Sequence, residues 1–330
     1  MKLKSIFLIC LLLSTILNHV AAEDPVNVIK DNSKKNPNVN IGYLTPVKLY
    51  SVHYANALES LLKSINQQTT VRINVVPVMI QSLDDERLFE CPFLYFNLGH
   101  KLKWEWTESE KGNLKKYLER GGFIYIDAGI KADFLKNSRY QNHSFAEWKP
   151  SKELVELFAD IFPNKKFKPL PKTHEIFKTY KPGLPDDSKL PLTVKDFVIK
   201  EKWPGGTYSI VGMKVKKRLA IIASPIVAMG WGRTPDGRWS GNIMLRIRES
   251  GKDLSNTLNV ASYDGNKFAI TKEDGTNDFV FVKSSKPAWV HEGTGKWRLY
   301  KYYGGNEIND FTHKFFTQLG TNIIFYSLTH

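Results

Sequence analysis

Five residues supply the chemistry this chain can offer. Gly99-His100 follows the apolar run Phe93-Leu94-Tyr95-Phe96, Asp127 follows Phe123-Ile124-Tyr125-Ile126, and Ser224 follows Arg218-Leu219-Ala220-Ile221-Ile222-Ala223. His174 and Trp231 stand on connecting segments able to fold over the same edge. A histidine and a carboxylate within reach of one another share acid and base duty, and two histidines with an aspartate make a divalent-metal ligand set. His100, Asp127, His174, Ser224 and Trp231 are therefore the candidate ligand-binding residues, with convergence of His100, Asp127 and His174 as the condition for catalysis. The same types have structural uses: an aspartate after a strand caps a turn, and a single histidine is commonly a hydrogen-bonded core group.

The elements that must position them alternate. Val39–Leu44 reads as a first strand, Tyr54–Ile65 carries Leu58, Leu61, Leu62 and Ile65 at helical spacing, and Val71–Val76 alternates as a strand. Thr107 and Glu110 form a capping-box pattern for a helix that continues through Leu114, Tyr117 and Leu118 and stops at Gly121-Gly122. Ser151–Ile161 is a further helix, closed by Pro163. Strands that are apolar throughout and separated by helices specify a parallel sheet covered on both faces. In such sheets ligands bind outside the carboxyl ends of the strands, where His100, Asp127 and Ser224 fall, with His174 and Trp231 on segments able to fold over that edge.

After Trp231 the pattern changes. Asp236-Gly237, Asp264-Gly265 and Asp274-Gly275 are tight-turn dipeptides, and Leu258–Tyr263, Lys267–Thr271 and Asp278–Val282 read as short antiparallel strands. Residues 232–303 are expected to be a β-rich insertion in an α/β domain made of 39–231 and 304–330. A last helix from Asn309 is expected to stop at Gly320, with Asn322–Leu328 as a final apolar element.

Composition sets the class. The chain has 330 residues, 47 Lys and Arg against 33 Asp and Glu, 42% hydrophobic residues and two cysteines, which excludes disorder, collagen and a disulfide framework. Lys2 and Lys4 precede the apolar stretch Ile6–Leu17, and Val20-Ala21-Ala22 supplies small residues, so residues 1–22 read as an export signal, with 23–38 as a flexible lead. Twelve apolar residues fall short of the roughly 20 that a spanning helix needs. The protein is expected in the periplasm or outside the cell, and not to span a membrane once the signal is cleaved. The formal charge of +14 loses the two lysines of the signal and becomes +12. Its clusters, such as Lys165-Lys166-Phe167-Lys168 and Lys214–Arg218, match no nucleic-acid-binding module, so no nucleic-acid partner is expected.

Nucleophile and cofactor motifs are missing. The sequence has no G-x-S-x-G, H-E-x-x-H, C-x-x-C or G-x-G-x-x-G. Gly293-Thr294-Gly295-Lys296 fails as a phosphate loop because Val290 stands at the first glycine and Trp297 at the Ser or Thr position. Cys91, followed by Pro92, precedes a strand where a strained nucleophile would follow one. Asn142-His143-Ser144 is a glycosylation sequon in a host that glycosylates. No cofactor and no metal site is identified.

A resemblance covers residues 39–330. Pro92-Phe93-Leu94-Tyr95 with Gly99-His100, Tyr117-Leu118, Gly121-Gly122-Phe123 with Asp127, Phe162-Pro163, Leu170-Pro171, and His174–Phe177 resemble the bacterial domain-of-unknown-function family 4159. So do Arg218-Leu219-Ala220 leading to Ser224-Pro225, Gly230-Trp231, and Leu319–Ile323 with Tyr326. That family is similar to class I glutamine-amidotransferase-like folds. The resemblance implies a flavodoxin-like, mostly parallel sheet with helices on both faces, without amidotransferase activity, because the family lacks the cysteine elbow and Cys91 does not supply one. Glu175 stands where the family usually has proline after its histidine. The expected function is an exported, non-catalytic module binding a small molecule or an envelope protein. The alternative is an exported hydrolase or lyase acting on a carbohydrate or other polar substrate through His100, Asp127 and His174. Attraction of the basic surface to an anionic envelope polymer is a third reading, recognisable by steep salt dependence.

Overall fold

The computed structural model describes residues 38–45, 56–98, 105–128, 142–143, 150, 152–180, 183–199, 203–233, 236, 238–239, 243–253, 266–271, 277–282, 288–291, 297–303 and 305–330. The chain divides into two compact units, Met1–Asn38 and Val39–His330. The export signal and most of the lead expected for residues 1–38 lie outside the described residues, as do His100 and the expected strand Leu258–Tyr263.

The second unit is a mixed α/β structure built on a seven-stranded sheet. Its strands are β1 (Ile41–Leu44), β2 (Val78–Ile80), β3 (Phe93–Asn97), β4 (Phe123–Asp127), β6 (Lys168–Pro171), β7 (Thr207–Val215) and β8 (Arg218–Ala223). β5 (Asn142–His143) belongs to a second sheet. The first sheet has the order β2-β1-β3-β4-β8-β7-β6. β2, β1, β3, β4 and β8 run parallel, and β7 is antiparallel to both β8 and β6. A mostly parallel sheet is what apolar strands separated by helices demand, since each connection must cross a face to return.

The strand residues divide by parity into two cores. Ile41, Phe93, Tyr95, Phe123 and Tyr125 face one side with α1 (Ala57–Gln68) and the long C-terminal helix α5 (Asn306–Thr329). Leu44, Leu94, Phe96, Ile124 and Ile126 face the other, against α2 (Glu108–Glu119) and α3 (Lys152–Ile161). A short helix, α4 (Leu192–Phe197), completes the set. At about 1.5–3 kcal/mol for each large side chain removed from water, these two layers are the main driving force.

Local signals fix α2 at both ends. Thr107 Oγ1 accepts from the Glu110 amide at 3.2 Å, and Glu110 Oε2 accepts from the Thr107 amide at 3.0 Å. At the other end Gly121 has φ of 113°, a conformation that strains any residue with a Cβ. Tyr117 Oη then donates to Cys91 O at 2.9 Å, tying the helix to the start of β3.

The second sheet has the order β10-β11-β12-β13-β9-β5, with β9 at Met244–Asp253, β10 at Asn266–Thr271, β11 at Asn277–Val282, β12 at Ala288–His291 and β13 at Trp297–Tyr303. Its longer strands pair antiparallel, and β5 joins β9 in parallel.

Two sequence expectations are corrected. Val71–Val76 is not a strand: Ile73 alone bridges to Val39, and the strand beside β1 is Val78–Ile80. The Asn66 side chain takes both backbone groups of Ile73, accepting from its amide at 2.9 Å and donating to its carbonyl at 2.7 Å, so a side chain replaces one ladder. Gly320 does not stop the last helix, which runs through it to Thr329. A Cβ on Gly320 would lie 2.7 Å from Leu61 Cδ2 and 3.0 Å from the Trp231 ring, so the glycine is a point of close approach between α5, α1 and the indole.

Gly320→Ala is therefore expected to destabilise the protein by about 1–2 kcal/mol. The overpacking outweighs the roughly 1 kcal/mol of helix propensity that alanine brings. A urea midpoint equal to or above the parent's would refute the close-approach account.

Candidate functional site

Asp127 is the last residue of β4, in register with Asn97 at the end of β3. The Ser224 amide donates to Ile126 O at 3.0 Å and extends the β4–β8 ladder by one step, which places the Ser224 hydroxyl beside the Asp127 carboxylate. Both side chains are fully buried.

The carboxylate is filled from several directions. Tyr95 Oη donates to Oδ2 at 2.9 Å, the Ala228 amide to Oδ2 at 3.0 Å, the Val227 amide to Oδ1 at 2.7 Å, and the Ala128 amide to Oδ1 at 3.1 Å. Ser224 Oγ lies 3.3 Å from Oδ1, but it also reaches Pro225 O at 2.7 Å and Tyr125 Oη at 2.8 Å. A hydroxyl has one proton. With that proton on the shorter Pro225 contact, Tyr125 donates to Ser224 and Oδ1 is left mainly to the two amides.

Trp231 lies over this cluster. Its ring is 5.5 Å from Tyr95 and 6.1 Å from Tyr125, and its Nε1 donates to Phe316 O at 2.9 Å. Just before it, Gly230 O accepts from Nδ1 of the buried His313 at 2.9 Å. Residues 224–231 are thus held by the Asp127 carboxylate on one flank and by α5 on the other.

Burial dominates the electrostatics. It pushes Asp127 up to about 6, against hydrogen bonds from Ala228, Val227, Tyr95 and Ser224 that favour the charged form. Burial and then the Asp127 charge hold the Tyr95 and Tyr125 hydroxyls well above the usual phenol range, so both remain donors.

The five sequence-derived residues separate into groups. Asp127, Ser224 and Trp231 come together as one buried assembly at the carboxyl edge. His174 does not join them: it starts the 3-10 turn Glu175–Phe177, its Nδ1 accepts from the Ile176 amide at 3.2 Å, and its ring packs 5.8 Å from Tyr326. Tyr326 in turn packs on Phe123, the first residue of β4, ten residues along α5 from Phe316. At 1.5 Å per helical residue the two clusters are separated by about 15 Å. Of the set His100, Asp127 and His174, the structure therefore does not bring His174 and Asp127 together. Burial lowers the His174 pKa, opposed by Glu175. His100 lies outside the described residues, and among those described no group of three metal-ligating side chains occurs.

Sequence reasoning missed Tyr95 and Tyr125. The signal was available: Tyr95-Phe96-Asn97 and Tyr125-Ile126-Asp127 are the ends of adjacent, in-register strands, and the two-residue period puts each tyrosine on the face of the polar residue that follows.

Because the folded pKa lies above that of an exposed aspartate, the folded chain keeps a proton between about pH 4 and pH 6 that the unfolded chain has released. This contribution to stability is complete below about pH 4 and is lost as pH rises through about 6. Asp127→Asn removes the titration, so the stability of the parent relative to the variant is expected to fall over that interval in parallel denaturation curves. A difference that stays flat or grows with pH would contradict the burial-dominated carboxylate.

No curated protein matches the chain significantly. The model of a domain-of-unknown-function family, DUF4159, matches residues 45–228, a span that includes Asp127, Ser224, Val227 and Ala228 and ends before Trp231 and α5. By that match, which covers more than half of its length, the chain belongs to the DUF4159 family.

Proposed function

We propose that the chain is an exported, non-catalytic binding module of class I glutamine-amidotransferase-like, flavodoxin-like build, whose small-molecule or envelope-protein partner meets the carboxyl edge of the sheet. The observation that carries this reading is the state of Asp127: wholly enclosed, with its oxygens occupied by amide and phenol donors. A general acid or base must reach the proton it moves. Asp127 instead spends its charge on holding residues 227 and 228, and Ser224 spends its hydroxyl on Pro225 and Tyr125. Export is supported by the lysine, apolar and small-residue sequence of positions 1–22. The 232–303 segment is read as an insertion adding surface to the 39–231 and 304–330 domain.

The test is a thermal-shift screen against sugars, nucleotides and divalent cations, with each stabilising compound followed by NMR for chemical change. A compound at about 100 times its Kd adds about 2.7 kcal/mol and raises the melting point. The expected result is a shift with the compound unchanged. Turnover of a stabilising compound would overturn the reading in favour of a hydrolase or lyase, and His100→Ala would then show whether the remaining candidate histidine serves it.

A further inference from the structure

The amino edge of the sheet carries a different kind of surface. There α2 ends, the two-residue turn Lys216-Lys217 joins β7 to β8, and the 3-10 turn Glu86–Glu90 leads into β3. Lys216 Nζ donates to Glu119 O at 3.1 Å, which seats the hairpin on the helix end, and Arg218 donates to Leu118 O at 3.2 Å and Gly122 O at 2.6 Å. These two cations are used as caps for α2 carbonyls. Lys116, Arg120 and Lys217 are exposed on the same edge, with Glu86, Glu90 and Glu119 as the exposed acids of these elements.

Two features set this edge apart from an ordinary solvated basic surface. Phe89 is 39% exposed, and Lys116 Nζ and Arg120 Cζ lie 5.5 and 5.7 Å from its ring centroid, so a partly exposed aromatic sits among cations. Lys216 holds φ of 54° in a tight turn where glycine or asparagine is the relaxed choice. The Lys216 ammonium seats this turn on the helix end, with Lys217 as the next residue of the turn.

We infer that this edge, formed by the end of α2, the β7–β8 turn and Phe89, docks the protein on an anionic phospholipid surface. Cations that reach headgroup phosphates, together with an apolar ring that enters the headgroup boundary, are the combination by which proteins adsorb to such surfaces. A soluble polyanion would use the cations and leave the ring without a role. The inference is independent of what meets the carboxyl edge, because no residue is shared with the Asp127 assembly.

The experiment is sedimentation of the full chain with vesicles of phosphatidylcholine containing about one-quarter phosphatidylglycerol, and with phosphatidylcholine alone. Binding to the anionic vesicles that falls steeply with salt is expected. Each cation near such a surface contributes roughly fivefold to partitioning, so Lys116→Gln, Arg120→Gln and Lys217→Gln combined are expected to weaken binding by about a hundredfold. Phe89→Ser is expected to weaken it severalfold at unchanged salt dependence. All three substituted cations are exposed, and an unchanged melting point confirms the fold. Three outcomes overturn the inference: equal binding by parent and combined variant, binding to heparin with none to anionic vesicles, or an equal loss when Lys165, Lys166 and Lys168 are changed to Gln instead.

Discussion

The buried carboxylate of Asp127 is the interaction on which the carboxyl edge depends. Two backbone amides, Val227 and Ala228, point into the protein where β8 has ended and no strand remains to pair them. An enclosed amide with no acceptor costs about 1–3 kcal/mol, so the chain could not make this turn inside the core without an acceptor for both. Asp127 supplies one oxygen to each. The cost moves to the carboxylate, which burial holds at about 6, and Tyr95 offsets part of it by donating to Oδ2. Ala128, whose amide donates to Oδ1, holds a positive φ of 59° at the same place.

From this fixed point the packing of one whole face follows. Residues 227–231 are held at the right height for Trp231 to lie against Tyr95 and Tyr125. The indole then donates to Phe316 O, and Gly230 O accepts from His313, so α5 is locked to the sheet by two polar contacts within an apolar layer. Close approach at Gly320 and Gly230 makes those contacts possible: a Cβ on Gly230 would lie 2.5 Å from Phe316 Cδ2. α5 lies outside the span matched by the family model, yet it completes the face that β3 and β4 begin.

How much of this was legible in the sequence depends on whether the determinant was local. Phe93–Phe96, Phe123–Ile126 and Arg218–Ala223 were readable as strands because burial on both faces leaves an uninterrupted apolar run. The α2 boundaries were readable because a capping box and a left-handed glycine are short-range devices. Val71–Val76 misled because the competing partner, the Asn66 side chain, is a tertiary contact invisible to alternation. Gly320 misled for a similar reason: a glycine that ends a helix and one that admits a neighbour look identical until the neighbour is known. Asp127 and Ser224 were marked by their position after strands and Trp231 by its place on a connecting segment, but position cannot tell a carboxylate facing solvent from one facing two amides.

The two edges of the sheet solve opposite problems with the same elements. At the carboxyl edge polar side chains are turned inward, because a chain segment without a ladder must be hydrogen-bonded there. At the amino edge α2 presents its last carbonyls, and a cation is a favourable further partner for them. Two cations, Lys216 and Arg218, satisfy that demand through direct hydrogen bonds. Lys116 and Arg120, placed over Phe89 with their charges solvated, are in excess of what the helix end needs. The amino edge therefore carries accessible charge, whereas at the carboxyl edge the charge of the aspartate is enclosed and spent on the chain's own amides.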